Sequence, residues 1–126
     1  MATFRMFVAN CLLRGLTVYQ GDFITAYSNA SLDIKRYMDS LDGYPCELDN
    51  IVYVVYKVLY GLKQSGREWN TEVNGWFLRY WFKRCTTEPC LYYYDDDGDY
   101  VLVFLFVDKI LCATKRKILK RRCFKI

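Results

Sequence analysis

The chain has 126 residues, 53% hydrophobic and 25% charged, enough for one domain with a real core and too apolar for a disordered segment. Its net charge of +4 is uneven: residues 115–126, "KRKILKRRCFKI", carry seven cations and no acid, which leaves the rest at −3. The body is therefore not a basic nucleic-acid surface. The cations of 115–126 suit phosphate contact or nuclear targeting, and equally a solvated helix end. There is no histidine, and the six cysteines form no Cys-x-x-Cys pair, which argues against zinc. We read the cysteines as free thiols in a reducing compartment, cytoplasmic or nuclear, with Cys90 and Cys112 buried. No apolar run approaches the ~18 residues of a membrane span, and Arg5, Asn10 and Arg14 interrupt the opening stretch, against a leader peptide.

In chain order, residues 3–14 suit a helix with Phe4, Phe7, Val8, Cys11 and Leu12 on one side. "LTVYQGDFIT" alternates as a strand, with Asp22 as a carboxylate at its centre. "SNASLD" reads as a turn, "KRYMDS" as a short strand and "LDGYPCELDN" as a loop. "IVYVVYKVLYGL" is β-branched and aromatic, a strand ended by Gly61. From about Ser65 to Phe82, apolar residues recur at spacings of three and four, predicting a helix that buries Trp69, Val73, Trp76 or Phe77, and Tyr80.

"CLYYY" and "YVLVFLFV" are two strands joined by "DDDGD", where Asp97-Gly98 suits a tight hairpin. An EF-hand loop counted from Asp95 would need Gly sixth and Glu twelfth, but Tyr100 and Phe106 stand there, so the acidic cluster reads as a turn. "ILCAT" closes the meander, leaving residues 107–109 at a second hairpin tip. The whole predicts an α+β fold with helices packed on one face of an antiparallel sheet.

Asp22 and Asp108 are the candidate chemistry. If their strands are neighbours, two carboxylates on a rigid sheet edge suit Mg²⁺, which prefers carboxylate oxygen in a tight octahedron. Two such ions about 4 Å apart clamp the attacking and leaving oxygens of a phosphoryl displacement. Spacing alone favours the plainer reading of two exposed acids.

Four blocks, "VYQGDFITAYSNASLD", "VYKVLYGLKQSGREW", "WFKRCTTEPCLYYY" and "FLFVDKILCAT", occur in the order seen in the reverse transcriptase of copia-type LTR retrotransposons. The chain resembles that family from about Leu12 to Thr114. The resemblance implies a right-hand polymerase, with residues 1–114 as palm and incomplete fingers, no thumb, and 115–126 as a basic tail. Asp22 then matches the metal-binding Asp of the first polymerase motif, and Tyr27 the aromatic that excludes a ribose 2′-hydroxyl. Gly61, Lys63 and Gln64 match the motif beside the incoming nucleotide and template. Asp108 matches the first Asp of the Tyr-Val-Asp-Asp hairpin. The implied cofactor is Mg²⁺, as two ions; the implied partners are an RNA/DNA template-primer and deoxynucleotides, with no membrane.

Departures accompany the match. Lys109 stands where the family has its second hairpin Asp, Phe106 replaces the Tyr, Gly21 the usual Met, and Ser65-Gly66 the usual Ala-Pro. The expectation is thus a polymerase fragment inactive by itself, with Asp22 and Asp108 its remaining metal carboxylates. The alternative is a non-catalytic retrotransposon remnant that binds nucleic acid or a protein partner. For it, Lys115, Arg116, Lys117, Lys120, Arg121 and Arg122 are the nucleic-acid contacts.

Overall fold

The computed structural model describes residues 2–44, 48 and 50–124; the side chains of Asp33, Ile118, Lys120 and Arg122 are outside that description. Part of the expected loop 41–50, Cys46 included, falls outside it too, as do Lys125 and Ile126. The chain forms two compact units, Met1–Ile24 with Val73–Ile126, and Thr25–Glu72.

The first unit is built on a five-stranded antiparallel sheet in the order β1-β7-β6-β5-β4. Its strands are β1 (Thr17–Asp22), β4 (Lys83–Arg84), β5 (Leu91–Asp96), β6 (Asp99–Phe106) and β7 (Lys109–Thr114). The β5–β6 hairpin turns at Asp97 and Gly98, both at positive φ, the pairing that a two-residue turn of the primed type requires. The acidic cluster is a turn, as its Asp-Gly pair predicts.

One-sided helix packing is not what this sheet shows. Helix α1 (Ala2–Arg14) lays Phe7 and Cys11 on the face formed by Leu91, Leu102 and Ala113. The opposite face carries Tyr92, Val101, Val103 and Cys112, which alternate with those residues along the strands. There Phe77 of α3 (Ser65–Arg79) stacks on Tyr92 with ring centroids 4.5 Å apart. Cys123 of α4 (Lys120–Cys123) meets Cys112 on that same side. The reason is legible in β6: "VLVFL" is apolar at every position, so both faces need cover, and Val101, Leu102, Val103 and Leu105 are all buried.

Helix α1 ends at Gly15 (φ +61), with the Leu16 N–H bonded back to the Cys11 carbonyl at 2.8 Å, a glycine C-terminal cap. Its buried stripe is narrower than expected. Phe7 and Cys11 are buried, but Phe4, Val8 and Leu12 are exposed, because only the i, i+4 line rests on the sheet. In α3 the buried residues of the expected stripe are Trp69, Val73 and Phe77. Trp76 is half-buried, its ring edge-on to Phe77, and Tyr80 lies past the helix end at 43% exposure. The helix stops at Arg79 rather than near Phe82, so Tyr80 leaves the helical stripe.

The second unit contains α2 (Ala26–Asn29) and an antiparallel pair, β2 (Ser31–Met38) with β3 (Tyr53–Lys57). "SNASLD" has the composition of a turn, yet Ser31–Asp33 belong to β2, and the irregularity appears instead as a register shift between Ser31 and Arg36. Pairing with β3 overrides local turn preference. Conversely β3 ends at Lys57, well before Gly61. Val58 is buried with its N–H on the Ala30 carbonyl (3.1 Å), and the buried Ser65 hydroxyl donates to the Leu59 carbonyl.

Candidate functional site

Strand β1 pairs with β7 over its whole length, Thr17 against Thr114 through Asp22 against Lys109. The ladder continues one step further, since the Phe23 N–H donates to the Asp108 carbonyl at 2.7 Å. Asp22 is thus the last residue of its strand rather than its centre, and it lies beside the β6–β7 hairpin tip. That tip is a two-residue turn, Val107 and Asp108, between the paired Phe106 and Lys109. Val107 holds φ +55, a left-handed conformation that a β-branched residue adopts only under constraint.

The sheet therefore brings Asp22 to the hairpin that carries Asp108, and it brings Lys109 there as well. The Lys109 Nζ sits 3.3 Å from Asp22 Oδ1, with the two side chains 53% and 60% exposed. An ammonium has three donors and no acceptor, so it can occupy a carboxylate but cannot share in binding a cation. Among the described residues no group of three or more carboxylate, thiol or imidazole side chains is gathered as a metal site. Two carboxylates, one of them held by a lysine, do not fit the donor set of a two-ion centre. Beside them, a cavity of about 500 Å³ opens between α1 and the sheet, lined among others by Phe4, Gln20, Phe104, Phe106, Lys109 and Leu111. Among the described residues its lining holds no carboxylate.

The sequence candidates for nucleotide contact fall in the second unit. Tyr27 lies in α2, half-buried, with its ring centroid 4.6 Å from that of Tyr60. Gly61 has φ +94, a conformation in which any side chain would be strained, so the turn after β3 needs glycine there. Lys63 is exposed. Gln64 accepts a 2.7 Å hydrogen bond from Arg36 Nη2, a contact that no local spacing announces because 28 positions separate the two.

Residues 115–124 form more structure than a solvated terminus. A 3₁₀ turn (Lys117–Leu119) leads into α4, and Leu119 and Cys123 are buried. Lys115, Lys117 and Arg121 remain exposed, and Arg116 pairs with Asp99 at 3.1 Å. A Cβ placed on Gly21 would lie 2.3 Å from the Phe124 ring, so the absence of a side chain at 21 is what admits that ring. Sequence reading missed this pairing of Gly21 with Phe124; the only signal was a glycine inside a strand, which marks close approach.

Residues 1–124 match the family described as reverse transcriptase (RNA-dependent DNA polymerase), a match that takes in most of the basic segment. Over 119 residues, 93% of the chain, it is 26% identical to the retrovirus-related Pol polyprotein from transposon TNT 1-94 of Nicotiana tabacum. Over 93 residues, 73% of the chain, it is 29% identical to the putative transposon Ty5-1 protein of Saccharomyces cerevisiae. The matched regions amount to 9% and 30% of those relatives' lengths. No solved structure matches. The order of the motif blocks, the α+β architecture and a family match spanning nearly every residue lead to one conclusion: the chain belongs to the reverse transcriptase family, as a partial domain of the copia type.

Proposed function

We propose that the chain is palm, with part of the fingers, of a copia-type RNA-directed DNA polymerase whose metal centre is disabled, and that alone it incorporates no nucleotides. In this reading Asp22 and Asp108 are the remaining carboxylates for Mg²⁺, Tyr27 selects deoxynucleotides by bulk, and Gly61, Lys63 and Gln64 flank the nucleotide and template. The observation that carries it is the Lys109–Asp22 ion pair in the register where the family has a carboxylate.

The size of the defect follows from two effects. Unit charges ~4 Å apart interact by about 4 kcal/mol at an effective dielectric of 20 and about 1 kcal/mol in water. Both side chains are more than half exposed, so repulsion of a cation by Lys109 is near the lower figure. Loss of a ligand adds to it, and each ~1.36 kcal/mol is tenfold in rate. The test grafts residues 16–114 into an intact copia-type enzyme, with and without Lys109→Asp, and measures primer extension. The graft keeping Lys109 should be slower by orders of magnitude; equal rates would refute the reading.

A second role, weak nucleic-acid binding, is favoured by Lys115, Lys117 and Arg121, exposed on a segment whose buried Leu119 and Cys123 hold it in place. Binding should fall steeply with salt and be lost when those three cations are neutralised, while surviving Asp22→Ala. RNA affinity unchanged by the neutralisation would remove this role.

A further inference from the structure

We infer that Cys112 and Cys123 are a disulfide-forming pair that fastens the basic segment to the sheet in the presence of a small-molecule disulfide. This inference is independent of the functional reading above.

Cys112 lies in β7, on the sheet face opposite α1, and Cys123 ends α4. Both are fully buried, and their sulfurs face each other 2.7 Å apart. Only a small further approach separates that contact from the S–S bond length of about 2.05 Å. Among the described residues the pairing is selective by placement: Cys11 of α1 is buried on the other face, Cys90 lines the cavity beside α1, and the Cys85 sulfur is engaged by Thr87 at 3.4 Å. Among the described residues, Leu119, Cys123, the Phe124 ring seated over Gly21 and the Arg116–Asp99 pair dock the segment. A covalent tie between α4 and β7 adds to these contacts and changes how readily the segment leaves the sheet.

The closed pair is itself inert. The hydrogen bond with Cys112, and burial, push the Cys123 thiol far above its ordinary range, and both sulfurs are shut off from solvent. Reaction starts when the segment swings out. Cys123 gives up its proton, and its thiolate attacks one sulfur of the external disulfide; that S–S bond breaks, and the departing thiolate takes up a proton. On reclosure the Cys112 thiolate attacks the Cys123 sulfur of the mixed disulfide, forming the Cys112–Cys123 bond and releasing a second small thiol. Two electrons and two protons pass from the protein to the reagent, which leaves as two thiols.

The test incubates the full chain with oxidised glutathione or with a thiol reductant. Free thiols are then blocked under denaturing conditions, and tryptic fragments are mapped by mass. Oxidation should join the fragment "ILCATK", which carries Cys112, to "CFK", which carries Cys123. It should also slow native tryptic cleavage after Lys117 and Arg121 at least tenfold, equally in the Cys85→Ser variant and not in Cys123→Ser. Two blocked thiols after oxidation, a link from Cys112 to another cysteine, or unchanged cleavage of the linked chain would each overturn the inference. Fragment mapping uses the unaltered chain, so it decides even if Cys123→Ser fails to fold.

Discussion

Lys109→Asp should convert a neutralised sheet edge into a divalent-cation site. Lys109 and Asp22 stand opposite each other at the end of the β1–β7 ladder, 3.3 Å apart and more than half exposed. An exposed pair of this kind contributes about 0–1 kcal/mol. The substitution removes that and sets two carboxylates opposite each other, with Asp108 adjacent, adding about 1 kcal/mol of repulsion at aqueous dielectric. In chelator the variant should therefore be about 1–2 kcal/mol less stable than the native chain. A cation at a hundredfold its Kd stabilises a folded protein by about 2.7 kcal/mol, enough to reverse the loss.

The assay is thermal unfolding in chelator and in Mg²⁺ or Mn²⁺, where ~1 kcal/mol corresponds to roughly 4 °C for a chain of this size. The native chain should melt at the same temperature in both, and the variant should melt lower in chelator and recover with the cation. Lys109→Ala separates the effects, since it removes the ammonium without supplying a ligand and should show no cation-dependent gain. The reasoning is refuted if the native chain gains as much as Lys109→Asp does, or if that variant gains nothing.

Phe77→Ala should cost about 3–5 kcal/mol in denaturant titration because Phe77 is fully buried against Tyr92 and Phe82; the half-buried Trp76 should cost clearly less, and the reverse order would mean the helix is rotated. Gly21→Met should expel the Phe124 ring and speed proteolysis within 115–124 while leaving the β5–β6 hairpin protected from hydrogen exchange; equal protease resistance would show that the ring does not need that space. Burial raises the Tyr92 pKa, so its contribution is fully present below about pH 10, the ordinary phenol value, and is lost as pH rises through the higher folded value. Tyr92→Phe should lessen that alkaline loss in pH-dependent melts while giving up about 1 kcal/mol for its hydrogen bond to Asn74; an unchanged alkaline slope would assign the loss elsewhere.

Much of the first unit is legible from residue order because its signals are local. Asp97-Gly98 forces the β5–β6 turn, and the recurrence of Trp69, Val73 and Phe77 at every fourth residue marks α3, whose last turns belong to this unit. What escaped depends on partners distant in sequence. Whether β6 is covered on one face or two is decided by α1 and α3, and only its unbroken apolar run hinted at the answer. Ser31 has turn chemistry and still extends, because Lys57 of β3 supplies it a partner. At the site, the meeting of Asp22 with the second hairpin was legible through the motif order, whereas its position at the end of β1 was not, since strand ends depend on which residues find a partner.

Under the proposed function, the same ladder explains how the frame of a metal site can stand without the metal's ligand set. Asp22 and Asp108 are positioned by backbone bonds: β1 pairs with β7 from Thr17–Thr114 to Asp22–Lys109, and Phe23 then donates to Asp108. On the β7 side that register is held by the buried Ile110, Cys112 and Ala113, because a one-residue slip of β7 would turn each of them to the opposite face. The strained Val107 turn is over-determined in the same way, held between the paired Phe106 and Lys109. Position 109 itself is exposed and contributes little to any of this, so exchanging a carboxylate for an ammonium there costs the fold almost nothing. In the proposed reading its cost falls on the chemistry, where the ammonium takes a place that a shared cation would need. On that reading stability and catalysis draw on different atoms of one hairpin, and substitution at a single exposed side chain removes the second without disturbing the first.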